Sequence, residues 1–232
     1  MALRQELQDE VSEILREQWT ERKGQIVPTP ENISLGNDAV KLDAAVLYAD
    51  MAESTQLVDD EIPGFAAEVY KSYLTCAARI VKDEEGTITA YDGDRIMAVF
   101  IGATKNTTAV RCALKINYAV RNIINPALSK QYFHRSYKVR HHIGIDTSSL
   151  FVSRIGVRND NDLVWVGRAA NYAAKLCSIR EYNTIFLTEE VFNMMLDPAK
   201  FSANGGEPMW KERRWTQMGD KRIYCSSWTW RF

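Results

Sequence analysis

No apolar run in the chain approaches the roughly 18–20 residues that a membrane-crossing helix needs. The first residues are polar with helical spacing, unlike a secretory leader. Neither a membrane partner nor export is expected, and the reading is a cytoplasmic protein. Cysteines are few: Cys76, Cys112, Cys177 and Cys225 are scattered, without CxxC spacing. That excludes a disulfide frame or a cysteine zinc site and leaves small buried hydrophobes in a reducing compartment. Charge bias is missing too. The 29 basic and 30 acidic side chains leave a net charge of −1. Nucleic-acid binders carry a marked basic excess, so no nucleic-acid partner is expected. There is no internal repeat and no low-complexity stretch. What remains is ordinary globular composition, 46% apolar over 232 residues, enough for a sizeable core.

The order of patterns defines the fold class. Leu3, Leu7, Val11, Ile14, Leu15 and Trp19 give one apolar helical stripe, and Lys23-Gly24 with Pro28 and Pro30 end it in an extended linker. This stripe either packs on its own domain or a partner copy, or docks a separate regulatory protein. Residues 42–50 read as a buried strand. Pro63 opens a helix running to about residue 82 on Phe65, Val69, Tyr73, Ala77, Ile80 and Val81. Two β-prone runs, 87–91 and 96–101, flank Asp92-Gly93, a strong hairpin signal. A long helix over 104–124 follows, then strands at 137–145, 150–155 and 163–166. A helix over 168–179, a strand at 184–187 and a helix start at Thr188-Glu189-Glu190 complete the series. Interleaved helices and strands with a hairpin predict an α+β fold with a mixed or mostly antiparallel sheet. Residues 1–39 form the helix and linker, and 40–232 the main domain.

Two aspartates stand out. Asp50 ends the apolar run Ala45-Val46-Leu47-Tyr48-Ala49, and Asp94 sits beside the hairpin turn ahead of Ile96-Met97-Ala98-Val99-Phe100. A strand-end carboxylate can point at a ligand. Two of them on neighbouring strands could hold divalent cations over a triphosphate, the arrangement of metal-assisted phosphoryl chemistry.

Three segments in order resemble a class III nucleotidyl cyclase catalytic domain. They are Leu47-Tyr48-Ala49-Asp50-Met51-Ala52-Glu53-Ser54-Thr55, Gly93-Asp94-Arg95-Ile96-Met97-Ala98-Val99-Phe100, and Val166-Gly167-Arg168-Ala169-Ala170-Asn171-Tyr172-Ala173-Ala174-Lys175-Leu176. The resemblance covers about residues 40–230. It implies a ferredoxin-like βαββαβ core with additions and a head-to-tail homodimer with sites at the interface. It also implies two ions per site, Mn²⁺ or Mg²⁺, on Asp50, Asp94 and the Met51 carbonyl. Backbone amides of Ala52, Glu53, Ser54 and Thr55 would cradle the phosphates. Asn171 matches the family's ribose-orienting asparagine. Four residues on, Lys175 stands where an arginine is usual, a point charge in place of a fork. The family's C-terminal lysine has no clear match. Met218 falls near it, with Lys221 or Arg222 as substitutes.

The base pocket departs from the purine pattern. Ala90 replaces a lysine and Val164 an aspartate or threonine, while Tyr48 replaces phenylalanine and Arg95 a small residue. Arginine only donates, and uracil offers two carbonyl acceptors. This resembles the pyrimidine cyclases of bacterial antiphage systems, whose cyclic nucleotide is read by a separate effector. The implied substrate is UTP, cyclised to 3′,5′-cyclic UMP and pyrophosphate. Alternatives are CTP, a purine cyclase of the same fold, or a catalytically dead nucleotide-binding dimerisation module. His141-His142 reads as structural, since adjacent strand residues face opposite ways. The tail tryptophans read as core or dimer contacts, and Lys211-Glu212-Arg213-Arg214 as a solvated loop.

Overall fold

A computed structural model describes residues 2–182, 184–203 and 206–232. The chain forms two compact units, residues 1–43 with 149–167, and residues 44–148 with 168–232. The grouping of 149–167 with the N-terminal segment was not drawn from the sequence.

In the smaller unit, α1 (Ala2–Arg16) is followed by β1 (Thr20–Lys23). This strand lies where the end of the helix was expected and pairs in parallel with the first residues of β2 (Asp38–Met51). The far half of β5 (His141–Val157) pairs antiparallel with β6 (Asp160–Val166). The expected helical stripe is present, but no α1 residue is buried. Leu3, Leu7, Val11, Ile14 and Leu15 all face out, so α1 is not packed on its own domain. Asn37 fixes the end of this helical segment by donating its side-chain amide to the carbonyls of Ile14 and Glu17.

The larger unit carries the rest of β2 and β5. Between them come α2 (Ser54–Asp60), α3 (Pro63–Asp83), β3 (Thr87–Asp92), β4 (Arg95–Phe100), α4 (Lys105–Ala119) and α5 (Asn125–Gln131). After them come α6 (Arg168–Cys177), β7 (Thr184–Thr188), α7 (Glu189–Met194), β8 (Lys211–Trp215) and β9 (Lys221–Ser226). The sheet order is β3-β4-β2-β5-β7-β9-β8, with β5 and β7 parallel and the β2–β4, β3–β4, β7–β9 and β8–β9 pairs antiparallel. Taken alone, β2-α3-β3-β4-α4-β5 is a βαββαβ core with the ferredoxin-like strand order, as expected.

Period-two alternation assigns the faces. Leu47, Ala49, Met51, Ile96, Ala98 and Phe100 join the core shared with Phe65, Val69, Tyr73 and Ala77 of α3. Tyr48, Asp50, Arg95 and Met97 are left on the opposite face. The helix expected over 104–124 is α4 extended by one π-helical turn over 120–124 and then by α5. Two strands expected at 137–145 and 150–155 are the single strand β5, which begins only at His141. The charge run 211–214 is corrected from loop to β8. Its ladder to β9 is hidden from composition because this edge strand exposes its side chains. Trp210 and Trp215 are buried, and among the described residues no helix is long and apolar enough to cross a membrane.

Candidate active site

The β3–β4 turn is only two residues long, Gly93-Asp94, one position later than the sequence placed it. Gly93 takes φ +59°, a conformation glycine adopts without steric cost. The hairpin sets Arg95 directly across from Asp50 and Met97 across from Tyr48. An Arg95 Nη2 proton is donated to Asp50 Oδ2 at 3.0 Å, and the guanidinium lies 6.0 Å from the Tyr48 ring centre. The Tyr48 hydroxyl donates to Met97 Sδ at 3.0 Å. Met97 is also the cross-strand partner of Ala90, so it fills the space between two expected base-pocket positions.

The carboxylates are poised unequally. Burial pushes the Asp50 carboxyl above its ordinary range, Arg95 opposes this, and the neighbouring Asp94 charge adds to it. Asp94 Oδ2 is buried and has no hydrogen-bond partner among the described residues. An unpaired buried carboxylate oxygen is costly, and here it adjoins a second carboxylate. A divalent cation with hard oxygen ligands fits that donor set. Among the described residues no three His, Cys, Asp or Glu side chains converge as a complete metal site. Asp50 and Asp94 would therefore need a carbonyl, such as that of Met51, and phosphate oxygens to complete the shell.

The loop after β2 turns sharply at Glu53, which sits at φ 59°, ψ 29° as the N-cap of α2. One expectation changes here. The Ala52 amide donates to the Arg140 carbonyl at 2.8 Å, so it is engaged within the fold. Ser54 and Thr55, in the first turn of α2, are the positions whose amides lack an intrahelical acceptor. The Glu53 carboxylate accepts from Arg140 and from the Tyr182 hydroxyl, and Arg140 lies over the Tyr182 ring at 4.9 Å.

His142 was read as structural together with His141, and the structure separates them. His141 is fully buried, with Nε2 3.1 Å from Asn117 Oδ1 and Nδ1 3.4 Å from the Tyr73 hydroxyl. Burial holds its pKa down to about 3, so it stays neutral. His142 lies beside the Tyr182 ring and acts electrostatically on Asp50, and its buried Nδ1 has no hydrogen-bond partner among the described residues. The same alternation that separates the pair was visible in the sequence. Arg140 and His142, two apart, share a face.

Helix α6 crosses β5 at Gly144, where a Cβ would lie 2.1 Å from the Ala173 carbonyl oxygen and 2.5 Å from the Cys177 amide. The Cys177 thiol donates to the His142 carbonyl at 3.3 Å. Arg168, at the start of α6, is held by Asp146 and by the Thr147 carbonyl. Ala169, Ala170, Ala173, Leu176 and Cys177 are buried, leaving Asn171 and Lys175 exposed on the outer face one turn apart. Lys175 Nζ meets Met218 Sδ at 3.7 Å. Arg222, one possible substitute for the family's lysine, is paired with Glu189 at 2.9 Å. Among the described residues, no hydrogen bond or ion pair links Asn171 or Lys175 with Asp50 or Asp94. Val164 lies in the smaller unit, half-buried on β6 opposite Ser153. The structure thus brings together Tyr48, Asp50, Asp94 and Arg95, and leaves Asn171 and Lys175 facing outward.

A βαββαβ sheet carrying a strand-end aspartate and a hairpin aspartate defines a class III nucleotidyl cyclase domain. Solved structures agree on the fold. The guanylyl cyclase Cya2 superposes with a TM-score of 0.67 at 20% identity, covering 82% of this chain and 94% of that one. The adenylyl cyclase CyaB from P. aeruginosa also gives 0.67 at 20% identity, over 83% and 97%. No family model matches the sequence. A uridylate cyclase from Xanthomonas perforans is 47% identical over 232 residues, covering 100% of this chain and 99% of the relative. One from Burkholderia cepacia is 49% identical, covering 99% of each. The chain belongs to the uridylate cyclase family.

Proposed function

We propose that the chain converts UTP to 3′,5′-cyclic UMP and pyrophosphate. The carboxylate pair carries this reading: Asp50 and Asp94 stand together at one end of the sheet, with one buried Asp94 oxygen lacking a partner among the described residues. The similarity to named uridylate cyclases along the full chain supports UTP as the substrate.

Asp50, Asp94 and the Met51 carbonyl would hold Mn²⁺ or Mg²⁺, two ions per site, which when bound supply positive charge at the α-phosphate and at the β- and γ-phosphates. The first-turn amides of α2 orient the triphosphate. Asn171 holds the ribose so that its 3′-oxygen faces the α-phosphorus in line with the leaving pyrophosphate. Lys175 places a positive charge where negative charge grows on the α-phosphate. Asn171 and Lys175 are exposed and, among the described residues, share no hydrogen bond or ion pair with the aspartates of their own chain, which supports a head-to-tail homodimer in which each site takes them from the second copy. Tyr48 adds bulk at the base pocket and Arg95 supplies donors for uracil carbonyls. Val164 and Ala90 offer no purine-reading polar group. The product would serve as a cytoplasmic messenger in antiphage defence, read by a separate effector.

The test is turnover of purified protein with each of the four nucleoside triphosphates at equal concentration in Mn²⁺, with the products separated by chromatography. The expected order is UTP, then CTP, then the purines. A site built on a buried hydrogen bond discriminates by about 1–3 kcal/mol or more when the wrong base leaves a group unpaired. Faster formation of cyclic AMP or cyclic GMP than cyclic UMP overturns the base assignment. No product from any triphosphate makes the chain a nucleotide-binding module only.

A further inference from the structure

We infer that Arg95 is a built-in counter-cation for Asp50. It holds the carboxylate in the free protein and gives it up when a divalent ion binds, so ion binding and the release of Arg95 are a single event. This rests on the reading of Asp50 as a cation ligand.

Four observations carry it. Arg95 is the cross-strand neighbour of Asp50, and its guanidinium takes the carboxylate through one bond, Nη2 to Oδ2 at 3.0 Å. The grip is single-pronged, without the parallel fork that makes arginine–carboxylate pairs strong. Arg95 Nε is buried with no partner among the described residues, so the resting pose leaves one donor unpaired. Asp94 Oδ2 is also without a partner among the described residues, so the Arg95–Asp50 bond leaves the second carboxylate of the pair unsatisfied. Finally, the Tyr48 ring, 6.0 Å from the guanidinium, offers a second seat on the same sheet face.

The resting pair is therefore strong enough to form and weak enough to exchange. Any oxygen acceptor on a bound nucleotide that takes the Arg95 donors also frees Asp50, so nucleotide and ion each raise the other's affinity through this side chain. A position that sequence reading assigns to base contact then has a second duty.

The test measures Mn²⁺ binding without nucleotide, from the loss of the free-ion signal in electron paramagnetic resonance. The proteins are wild type, Arg95→Ala, Arg95→Gln, Asp50→Ala and Arg180→Ala, with thermal unfolding run on each. Arg180 is a control because its charge acts on the neighbouring His142 without touching Asp50. Both Arg95 variants are expected to bind Mn²⁺ roughly fivefold more tightly than wild type, the scale of a partly exposed ion pair. Arg180→Ala should match wild type, and Asp50→Ala should lose the ion. Unchanged affinity in both Arg95 variants, with Asp50→Ala still losing the ion, overturns the inference and leaves the metal reading standing. An equal gain in Arg180→Ala also overturns it, because the effect would then be a general field. Wild-type binding by Asp50→Ala overturns the metal reading itself.

Discussion

At the scale of single residues, the site sets stability against use. Asp94 keeps a buried oxygen with no partner among the described residues beside the Asp50 carboxylate, which costs the free protein stability. Asp94→Asn removes that charge with almost no change in shape. It is expected to cut cyclase turnover about a thousandfold, the scale of losing a metal ligand. The same change should raise unfolding free energy by about 0.5–2 kcal/mol, as when a strained functional residue is relaxed. Steady-state kinetics and urea denaturation on one preparation check both directions, and a variant that is both active and unchanged in stability would sink the assignment. The two aspartates were legible because each closes an apolar run beside a turn. Arg140, Tyr182 and the site-facing role of His142 were not. Their partner Glu53 lies 87 residues from Arg140 and 129 from Tyr182, and no local pattern links them.

At the scale of elements, α6 is the least forgiving piece. It can approach β5 only because residue 144 has no side chain. Gly144→Ala puts a methyl group against helix backbone, which moves less readily than a side chain. We expect a loss of about 3 kcal/mol, near the upper end for overpacking, visible as a lowered denaturation midpoint. Turnover should fall further than the unfolded fraction explains, because the displaced helix carries Asn171 and Lys175. Unchanged stability would show that α6 can lift without cost. Most elements were legible where periodicity is clean: α3 shows every apolar position expected of it, and the hairpin announced itself through Asp92-Gly93. The misread elements have physical causes. The charges of β8 face solvent, so its pattern resembled a loop, while β1 is four exposed residues whose identity depends on a partner strand.

At the scale of the whole molecule, the candidate site is divided. The aspartates lie together within one chain, while Asn171 and Lys175 project from the exposed face of α6. If each site draws on two copies, Asp50→Ala and Asn171→Ala chains are each inactive alone and complement when mixed. Random pairing gives half mixed dimers, each with one intact site, so about a quarter of wild-type activity is expected. Activity after co-refolding, with mixed dimers confirmed by differential tagging, decides the matter. No recovery counts against the shared site. The motifs supplied the candidate residues and the resemblance implied a shared interface site, while periodicity alone carries no sign of which copy a residue would serve.

The buried Asn117 amide also has a bearing on how the protein is made. Its two protons are donated to the carbonyls of Ser227 and Trp228, 110 and 111 positions later, while its oxygen faces His141. During synthesis at about 5–20 residues per second, those acceptors emerge roughly 6–20 s after Asn117 does. Until then a polar group destined for the interior has no final partner, and leaving it so costs about 1–3 kcal/mol. The strand that carries His141 and His142 is therefore not locked when it first leaves the ribosome. Closure of the interior around Asn117 and His141 therefore waits for residues 227 and 228 to return to it.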